Sequence, residues 1–508
     1  MKRIFGLFLV LGVVIANGQA LKKPAEFYSN TIEAKDIKAH LEVLASDSFM
    51  GRETGTEGQR LAADYIENHF KSLGLKPVVD SGYQQSFEID IIEPAEVALT
   101  LNSAQFSFPD DLLYLGSVNT QELNFSEVVY VGYGVSDSIW DDYADLDVAG
   151  KVVVLRSGEP KRDSLYVLTN SKTPSNWTYN PGLKIELARK KGAVGIIEFN
   201  PELNSIISRY TRYLMRSRVA LTEDSKEIKA PFVMISDSGF ADALNLKAGD
   251  LDAWKNGKEV SIGTGSLTYK NNSRKGSSTN VLGYLPGTEK KDEVLVITAH
   301  YDHLGMRDSL IYNGADDDGS GTSAVLELAE AFQQASYEGY KCKRSILFML
   351  VSGEEKGLLG SQYYTEHPIF ELENTVTNLN IDMIGRRDPK YKDDPNYVYV
   401  IGSEMLSSDL KKISESQNRK HTKLKLDYTF DDPNDPNRFY YRSDHYNFAK
   451  NNIPVIFYFT GTHDDYHKPT DTVEKIEFDK MEKITRLVFH TAWEIANRDE
   501  RLKVDKLN

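Results

Sequence analysis

Apolar and polar residues follow one another along the chain with two different periodicities. Three predominantly apolar runs, at residues 294–299, 345–352 and 455–459, have the length and composition of buried strands. Stretches with apolar residues at helical spacing separate these runs, and a last one predicts a helix over about residues 479–497. This alternation predicts an α/β domain whose central sheet is mixed, largely parallel and flanked by helices.

The pattern changes in the middle of the chain, between residues 113 and 272. Two strand-like segments there are followed by a helical segment, GLKIELARKKG, and by another strand, AVGIIEF. A chain of 508 residues is also too long for one compact core. The sequence therefore predicts a smaller module at 113–272, inserted into a larger domain that is built from residues 30–112 and 273–498.

The first twenty residues differ from the rest of the chain. Lys2 and Arg3 precede an apolar run, Ile4–Ala16, and small residues follow it. This order predicts a signal peptide over residues 1–20, because the run is too short to span a bilayer as a helix. A retained membrane anchor is the alternative. With a signal peptide, the protein is exported, to the periplasm or outside the cell, and is not inserted in the membrane after cleavage.

Charge and cysteine content narrow the chemistry. The formal net charge is −15, which argues against nucleic acid or an anionic membrane surface as a partner. It is consistent with a cationic substrate group, such as the ammonium at the free end of a peptide. Cys342 is the only cysteine, so the sequence predicts no internal disulfide and no cysteine cage for a metal. Any metal is then held by His, Asp and Glu.

Polar side chains follow the predicted strands at the positions where sites form in open α/β sheets. His300 and Asp302 end the first strand on one side of an extended segment, where the imidazole can bind a metal and the carboxylate can orient it. Three consecutive carboxylates, Asp316 to Asp318, then precede a helix. Helix capping and a calcium loop are alternatives, but capping needs fewer acids and an EF-hand has a different spacing.

Three further segments of the chain complete the pattern. Glu354 and Glu355 follow the second strand, where burying both carboxylates is costly without cations. One can bind a metal while the other acts as a general base, and a solvated helix start is the alternative. Asp382 lies in an apolar strand, and His467 lies shortly after the third apolar run. Two histidines and four carboxylates at successive strand ends fit two zinc ions bridged by one carboxylate.

The order His-x-Asp, Asp-Asp, Glu-Glu, Asp and Tyr-His-x-Pro-x-Asp-Thr resembles that of the co-catalytic zinc exopeptidases. This family includes the secreted bacterial leucyl-type aminopeptidases, with glutamate carboxypeptidase and the transferrin receptor as relatives. The stretches GADDDGSG and GEEKGLLGS are its most specific signals, and ASDSFMGRETGTEGQ, which contains Arg52, also looks like a family segment. The inserted module resembles the protease-associated domain, chiefly through KGAVGIIEF.

The resemblance implies a metal ligand set of five residues. Asp317 is the implied bridge between two Zn²⁺ ions, and the Gly-Ser-Gly that follows is what selects it over its neighbours. One zinc ion also takes Glu355 and His467, and the other takes His300 and Asp382. These assignments come from the family resemblance alone.

The catalytic groups are implied in the same way. Asp302 orients His300, and Glu354 is the general base that takes a proton from water and later gives it to the leaving amine. Tyr440 is the implied donor to the oxyanion, with Tyr466 as the alternative. The implied activity is that of an aminopeptidase, which acts on peptides with a free amino terminus.

Other activities are compatible with the same residues. A carboxypeptidase or dipeptidase needs cations to hold a free carboxylate, and Arg386, Arg387 and Arg442 are available. Glutaminyl cyclisation in related folds uses one zinc ion, and the complete two-metal set argues against it. A non-catalytic binding protein on this scaffold would have lost ligands, which are all present here. The inserted module could limit the length of the substrate or bind protein partners. The sequence does not decide between these roles and does not identify a partner.

Overall fold

The structure is a computed structural model. It describes most of the chain, in residues 23–79, 82–116, 118–222 and 229–506. The predicted signal peptide lies outside these ranges. Within them, no helix is both long enough and apolar enough to cross a membrane.

The helices of the described ranges vary from one turn to five or more turns. The α-helices are α1 (Pro24–Ser29), α2 (Ala34–Leu44), α3 (Glu57–Leu73), α4 (Asn176–Tyr179), α5 (Pro181–Lys190), α6 (Leu203–Leu214), α7 (Asp237–Ala243), α8 (Gly321–Tyr337), α9 (Leu359–Glu366), α10 (Ser408–Gln417), α11 (His445–Ala449) and α12 (Phe478–Asn497). Shorter or irregular helical turns lie at Asp47–Arg52, Ala248–Ala253, Ala315–Ser320, Glu354–Lys356, Leu372–Asn374, Pro389–Tyr391, Asn418–Thr422, Phe439–Tyr441 and Val473–Lys475.

The strands form two large sheets and two small hairpins. They are β1 (Gln84–Ile92), β2 (Glu96–Leu101), β3 (Ala104–Ser107), β4 (Leu112–Tyr114), β5 (Gln121–Tyr130), β6 (Val152–Arg156), β7 (Lys161–Arg162), β8 (Leu165–Tyr166), β9 (Gly195–Phe199), β10 (Arg218–Leu221), β11 (Phe232–Ile235), β12 (Lys258–Lys270), β13 (Ser273–Leu285), β14 (Lys290–His300), β15 (Gly305–Arg307), β16 (Leu310–Tyr312), β17 (Arg344–Val351), β18 (Thr375–Ile381), β19 (Tyr397–Ile401), β20 (Lys425–Asp427) and β21 (Val455–Phe459).

The chain divides into two compact units. The larger one comprises Met1–Phe87 and Ser277–Asn508, and the smaller one comprises Glu88–Gly276. The smaller unit is therefore continuous in sequence, whereas the larger one is assembled from two separate stretches. This arrangement has the same order along the chain as the insertion that the sequence predicts.

The larger unit is built on a mixed sheet. Its strands lie in the order β13-β17-β14-β18-β21-β19-β20. The central strands β17, β14, β18 and β21 are parallel, whereas β13 and β19 run antiparallel to β17 and β21. Every residue of β17, β18 and β21 is buried, as expected for parallel strands that are covered on both faces. The predicted α/β fold with a largely parallel sheet is confirmed.

The two faces of this sheet belong to separate apolar cores. Leu295 and Ile297 of β14 pack in a core with residues of α2, α3, α8 and α12. Val294 and Val296 of the same strand pack in a second core with Tyr364 of α9 and residues of α11. Successive side chains of a strand point to opposite faces, so one apolar run supplies both cores. The sheet is held rigidly between the two helix layers.

Two helices have the bounds that the sequence predicts. α3 ends at Gly74, whose left-handed φ of +76° lets its amide and that of Leu75 bond back to carbonyl groups of the last turn. α12 spans Phe478–Asn497, and its apolar side packs on α8 through Phe332 and Phe489, whose ring centroids are 4.4 Å apart. Both helices bury one face against the core of the larger unit.

The smaller unit contains its own sheet and core. The sheet has the order β3-β2-β12-β5-β6-β9-β11-β4. Strands β5, β6, β9 and β11 are parallel to one another, and the remaining strands pair with them or with each other in antiparallel fashion. In the same unit, β10 pairs antiparallel with Ile89–Ile92 at the end of β1. The eight-stranded sheet and the apolar core beside it are thus formed by residues of this unit alone.

The structure moves the start of the inserted unit from residue 113 to Glu88. The sequence interpretation assigned residues 88–112 to the larger domain, but β2 pairs with β12 and β3, and β4 pairs with β11. In β2, exposed and buried positions alternate, and Val97, Leu99 and Leu101 pack in the core of the smaller unit. This short alternating segment carries no sequence signal that tells which sheet it joins. The end of the unit shifts less, from residue 272 to Gly276.

Truncating Leu99 should destabilise the smaller unit. Leu99 is fully buried, so Leu99→Ala should lower the free energy of unfolding by about 2–5 kcal/mol. Urea unfolding gives the size of the loss, and amide hydrogen exchange should locate it in β2, β12 and β5. Glu96→Ala, at an exposed position of the same strand, is the matched control and should cost less than about 1 kcal/mol. Loss of protection confined to β14, β17 and β18 would contradict the assignment.

Candidate metal centre

Four strands of the larger unit end at one edge of its sheet and supply the candidate site. β14 ends at His300 and β17 at Val351, and these two residues are paired in register. β18 ends at Ile381 and β21 at Phe459. Because the four strands are parallel, the segments that follow them emerge side by side. His300, Asp302, Glu354, Glu355 and Asp382 lie at or directly after three of these ends. His467 lies in the loop that follows β21, and Asp317 lies in the helical turn before α8.

One group of side chains surrounds the buried imidazole of His300. Its Nε2 atom lies 3.3 Å from Oδ1 of Asp317, 3.6 Å from Oδ1 of Asp382 and 3.9 Å from Oε2 of Glu354. His300, Asp317 and Asp382 each offer one ligand atom, and these three atoms lie within 4.8 Å of one another. They are close enough to hold one metal ion.

A second group lies on the other side of Asp317. Nε2 of His467 is 3.0 Å from Oδ2 of Asp317 and 3.3 Å from Oε2 of Glu355. The fully buried His303 has its Nδ1 atom 2.9 Å from Oε1 of Glu355 and 3.9 Å from Oδ2 of Asp317. His303, Asp317 and Glu355 also bring ligand atoms within 4.8 Å of one another. Asp317 therefore turns one carboxylate oxygen toward each group.

The three consecutive aspartates have different surroundings. Asp316 accepts a hydrogen bond from the amide of Gly385 at 2.6 Å, and Asp318 accepts one from the amide of Met383 at 3.1 Å. The peptide bond between Asp317 and Asp318 is cis. Asp316 and Asp318 thus support the backbone after β18, while Asp317 is the member of the three that faces both histidine groups.

The two consecutive glutamates differ electrostatically. Burial raises the pKa of Glu354 well above its usual range, His300 opposes this shift, and the charges of Glu355 and Asp382 add to it. Burial and the charge of Asp317 also raise the pKa of Glu355, but close contacts with two histidines outweigh them and lower it to about 2. Glu355 thus stays ionised, as a metal ligand must, while Glu354, with its raised pKa, holds a proton more readily than an exposed glutamate.

Asp302 holds His300 through its main chain and its side chain. Nδ1 of His300 lies 3.1 Å from the carbonyl oxygen of Asp302 and 3.7 Å from its carboxylate. The hydroxyl of Thr54 donates to that carboxylate at 2.7 Å, and the amide of Glu354 donates to it at 3.2 Å. The nearer acceptor of His300 is thus the carbonyl group, while the predicted partner, the carboxylate, is fixed between two further donors.

Asp382 is positioned by a chain of buried polar side chains. Its Oδ2 atom accepts a hydrogen bond from Ser443 at 2.7 Å, and Ser443 accepts one from Asn380 at 2.8 Å. Asn380 in turn accepts one from Thr298 at 2.6 Å, in the middle of β14. Buried polar groups of this kind specify one arrangement because each unpaired member would cost about 1–3 kcal/mol. This series of hydrogen bonds explains why a polar residue, Asn380, lies in the apolar strand β18.

Several buried polar atoms of the site have no aligned hydrogen-bond partner among the described residues. They include Nε2 of His300, both ring nitrogens of His303, Oδ2 of Asp317 and Oε1 of Glu355. Such atoms are rare in folded proteins unless they bind water or an ion. Imidazole nitrogens and carboxylate oxygens turned toward common points form the donor set that zinc prefers in the absence of cysteine. The residues present therefore fit zinc.

The structure does not bring Tyr440 to this group. Its ring lies against His445 and Tyr441 and it is not among the residues that line the cavity beside Asp317. Tyr466 does line that cavity, and its ring stacks on His467 with 3.9 Å between centroids. Of the two implied tyrosines, Tyr466 is the one that lines this cavity. Tyr440 follows a left-handed residue in a helical turn, and that local geometry is not readable from residue spacing.

Three residues of the centre were missed in the sequence interpretation. His303 lies in the same AHYDH stretch as His300, and His463 has its Nε2 atom 3.2 Å from Oδ2 of Asp316. Asp471 accepts hydrogen bonds from the amides of Asp316 and Asp317 at 3.0 and 3.2 Å. Each of the three lies three or four residues from a predicted ligand in the sequence, and that closeness was an available signal.

A single buried arginine, Arg52, ties the loops of the centre together. Its guanidinium donates to the carbonyl oxygens of Leu44, Tyr301, Asn313 and Gly314 at 2.6–2.9 Å. Burial lowers its pKa to about 10, and nearby carboxylates oppose this shift, so the group stays charged at neutral pH. Arg52 thus fixes the segment after β14 to the loop before the aspartates and places one positive charge beneath them.

The larger unit is thus an α/β fold that carries, at one sheet edge, two groups of possible metal ligands sharing the carboxylate of Asp317. Residues 280–492, which contain all the ligands described, match the model of Peptidase family M28. The predicted relation to zinc exopeptidases is confirmed for these residues.

Two relatives illustrate the sequence similarity. The chain is 26% identical over 271 residues to Aminopeptidase YwaD of Bacillus subtilis (strain 168). It is 30% identical over 224 residues to a probable leucine aminopeptidase of Trichophyton verrucosum (strain HKI 0517). These matches cover 52% and 43% of this chain, and it spans only 53% and 57% of the two relatives' own lengths.

A solved structure extends the similarity to most of the chain. The aminopeptidase from Aneurinibacillus sp. strain AM-1 superimposes with a TM-score of 0.54 at 20% sequence identity. The superposition covers 95% of this chain and 98% of that one. It shows that the fold is shared.

Replacing Arg52 should disrupt the centre and the stability of the larger unit together. Arg52→Met removes the charge and leaves buried carbonyl groups without a donor, at about 1–3 kcal/mol for each group that water cannot reach. The free energy of unfolding should fall by at least about 3 kcal/mol in urea titrations. Arg60→Met is the control, because Arg60 is exposed and makes surface ion pairs on α3. Equal stability of the two variants would refute the role of Arg52.

Proposed function

We propose that this protein is a two-zinc aminopeptidase, which removes residues from the amino end of peptides. The observation that carries the proposal is Asp317, whose two carboxylate oxygens face two separate groups of histidine and acidic side chains. Two-metal hydrolases use such a shared carboxylate to hold their ions a few ångströms apart. The two sequence relatives are named as an aminopeptidase and a probable leucine aminopeptidase, which supports the same activity.

The proposed ligands follow the two groups. One zinc ion is assigned to His300, Asp317 and Asp382, and the other to Asp317, Glu355 and His467. We choose His467 over His303 because its Nε2 atom lies within 3.3 Å of an oxygen of both carboxylates of that group. His303 faces the other oxygen of Glu355 and is proposed to orient it.

The remaining groups suit hydrolysis of a peptide bond. Zinc, when bound, supplies Lewis acidity toward the scissile carbonyl and lowers the pKa of water. Glu354 is proposed to accept the proton of the attacking water and to deliver it to the leaving amine. Tyr466 is proposed, in place of Tyr440, to donate a hydrogen bond to the developing oxyanion. Asp302 keeps His300 oriented throughout.

The charge of the whole protein is compatible with a substrate's amino end. The formal net charge is −15, which is consistent with a cationic group such as the ammonium of a free amino terminus. Export through the predicted signal peptide would place the enzyme in the periplasm or outside the cell. The smaller unit is proposed to be a protease-associated domain, as its sequence suggests.

Chelation should abolish aminopeptidase activity. The zinc-loaded protein should hydrolyse members of a panel of aminoacyl-nitroanilides. Hydrolysis should stop after treatment with 1,10-phenanthroline and return when Zn²⁺ is added. Metal analysis of the active protein should give two zinc ions per chain. Hydrolysis that resists the chelator, or no cleavage of any member of the panel, would count against the proposed activity.

Glu354→Gln should separate metal binding from turnover. The variant keeps a similar shape but loses the proton acceptor, so kcat should fall by a factor of about 10²–10⁴ while two zinc ions remain bound. Metal analysis and initial rates on the best nitroanilide check both halves. Glu366→Gln, at an exposed position of α9 in the same stretch, serves as the control. A Glu354→Gln variant with near-normal kcat would remove this residue from the mechanism.

A further inference from the structure

Two of the three arginines that the sequence offers for holding a carboxylate already have acidic partners within the protein. Nη2 of Arg386 lies 2.8 Å from Oδ2 of Asp465. Nε of Arg387 lies 2.6 Å from Oε1 of Glu477. Both guanidinium groups are only partly exposed, and their charges are balanced locally. They are therefore occupied in holding the loop after β18 in place.

The third arginine, Arg442, is in a different situation. It is exposed, and among the residues that the structure describes no carboxylate lies within 4.0 Å of its guanidinium. It lines the same cavity as Asp317, Glu354 and Asp382. A cation beside several buried carboxylates would be expected to pair with one of them, and this one does not. Its charge stays available beside the proposed reaction centre.

The position of the Arg442 guanidinium is set by an aromatic ring. Its Cζ atom lies 4.9 Å from the centroid of Phe439, which lines the same cavity. Stacking on a ring holds the planar group while leaving its N–H donors at the edge free for a partner. A planar, oriented guanidinium is suited to binding a carboxylate through two parallel hydrogen bonds.

The other walls of the cavity offer no competing cation. Apart from Arg442 and the three acidic residues, the lining consists of Met383, Phe439, Phe457, Phe459, Thr462 and Tyr466. An apolar wall excludes water and strengthens a charge interaction at its rim. Among the residues that line this cavity, Arg442 is therefore the one cationic side chain that a carboxylate meets beside the proposed zinc ions.

We propose that Arg442 binds a carboxylate of the peptide substrate close to the scissile bond and so selects acidic substrates. This inference rests on the proposed aminopeptidase function. Two substrate groups have the required chemistry: the side chain of an amino-terminal Asp or Glu, and the free terminal carboxylate of a dipeptide. Both lie only a few bonds from the carbonyl that is attacked, and both would meet the same guanidinium.

Two matched substrate pairs distinguish the sources. Glu-Ala-amide against Gln-Ala-amide differs only in the charge of the amino-terminal side chain. Leu-Ala against Leu-Ala-amide differs only in the terminal carboxylate. The ratio of kcat/KM within one of these pairs should favour the charged member in the wild-type enzyme, and the pair that shows the preference identifies the source.

Removing the charge of Arg442 should abolish that preference. In Arg442→Gln the ratio should fall by about 10- to 100-fold, the value of a hydrogen-bonded charge pair. Arg442→Lys keeps a point charge without the planar fork and should give an intermediate ratio. Arg438→Gln is the matched control, since Arg438 stacks on Tyr441 in the same segment but does not line the cavity. Its ratio should equal that of the wild type.

The results that overturn the inference are distinct from those that overturn the function. Equal rates for both members of both pairs in the wild type, or a preference that survives in Arg442→Gln, would exclude a carboxylate site at Arg442. Absence of hydrolysis of every peptide would instead refute the proposed function. In that case calorimetric titration with Leu-Ala and with Glu-Ala-amide decides the inference. A Kd weakened at least tenfold in Arg442→Gln supports it, and an unchanged Kd refutes it.

Discussion

The interaction on which the rest of the structure depends is the repulsion among acidic side chains buried at one sheet edge. Asp302, Asp317, Glu354, Glu355 and Asp382 converge there with little access to water. Their negative charges would separate in a flexible loop. Four of them directly follow strands that are packed between two helix layers, and Asp317 lies in the turn before α8. Histidines, one buried arginine and backbone amides also compensate part of the charge. The negative charge that is not compensated gives this sheet edge an affinity for divalent cations.

The scaffold controls orientation as well as position. Amide donors and hydroxyl groups bind the oxygens of the acidic residues that would otherwise turn away from the centre, as Ser443 does for Asp382 and Thr54 for Asp302. The oxygens left over are those that face the histidines. These hydrogen bonds thus leave unsatisfied the lone pairs that face the histidines, where a metal ion would bind. The same layer reaches into the sheet through Asn380, so the centre and the core are one cooperative unit.

The sequence predicted the strands and most of the ligands because both depend on local patterns. Apolar runs mark buried strands, and an acid or a histidine at the end of such a run costs free energy unless it binds something, as for His300 and Asp382. What failed depended on distant partners. Strand β2 could join either sheet, because its partners β3 and β12 cannot be read from its own residues. The contact of His463 with Asp316 was not predicted, since Asp316 is far away along the chain. The spacing of residues in the sequence predicts local geometry, but it does not predict which side chains from distant loops are in contact.

The four carbonyl contacts of Arg52 impose an order on assembly during synthesis. Arg52 and Leu44 precede the smaller unit in the chain, whereas Tyr301, Asn313 and Gly314 follow it. A growing polypeptide therefore exposes this arginine long before three of its four acceptors exist. The smaller unit, being continuous, has all its strands available as soon as Gly276 emerges, and can complete its pairing first. The residues of the candidate metal centre, from His300 to Asp471, are all synthesised after that point, so a chain that ends at Gly276 contains none of the proposed ligands.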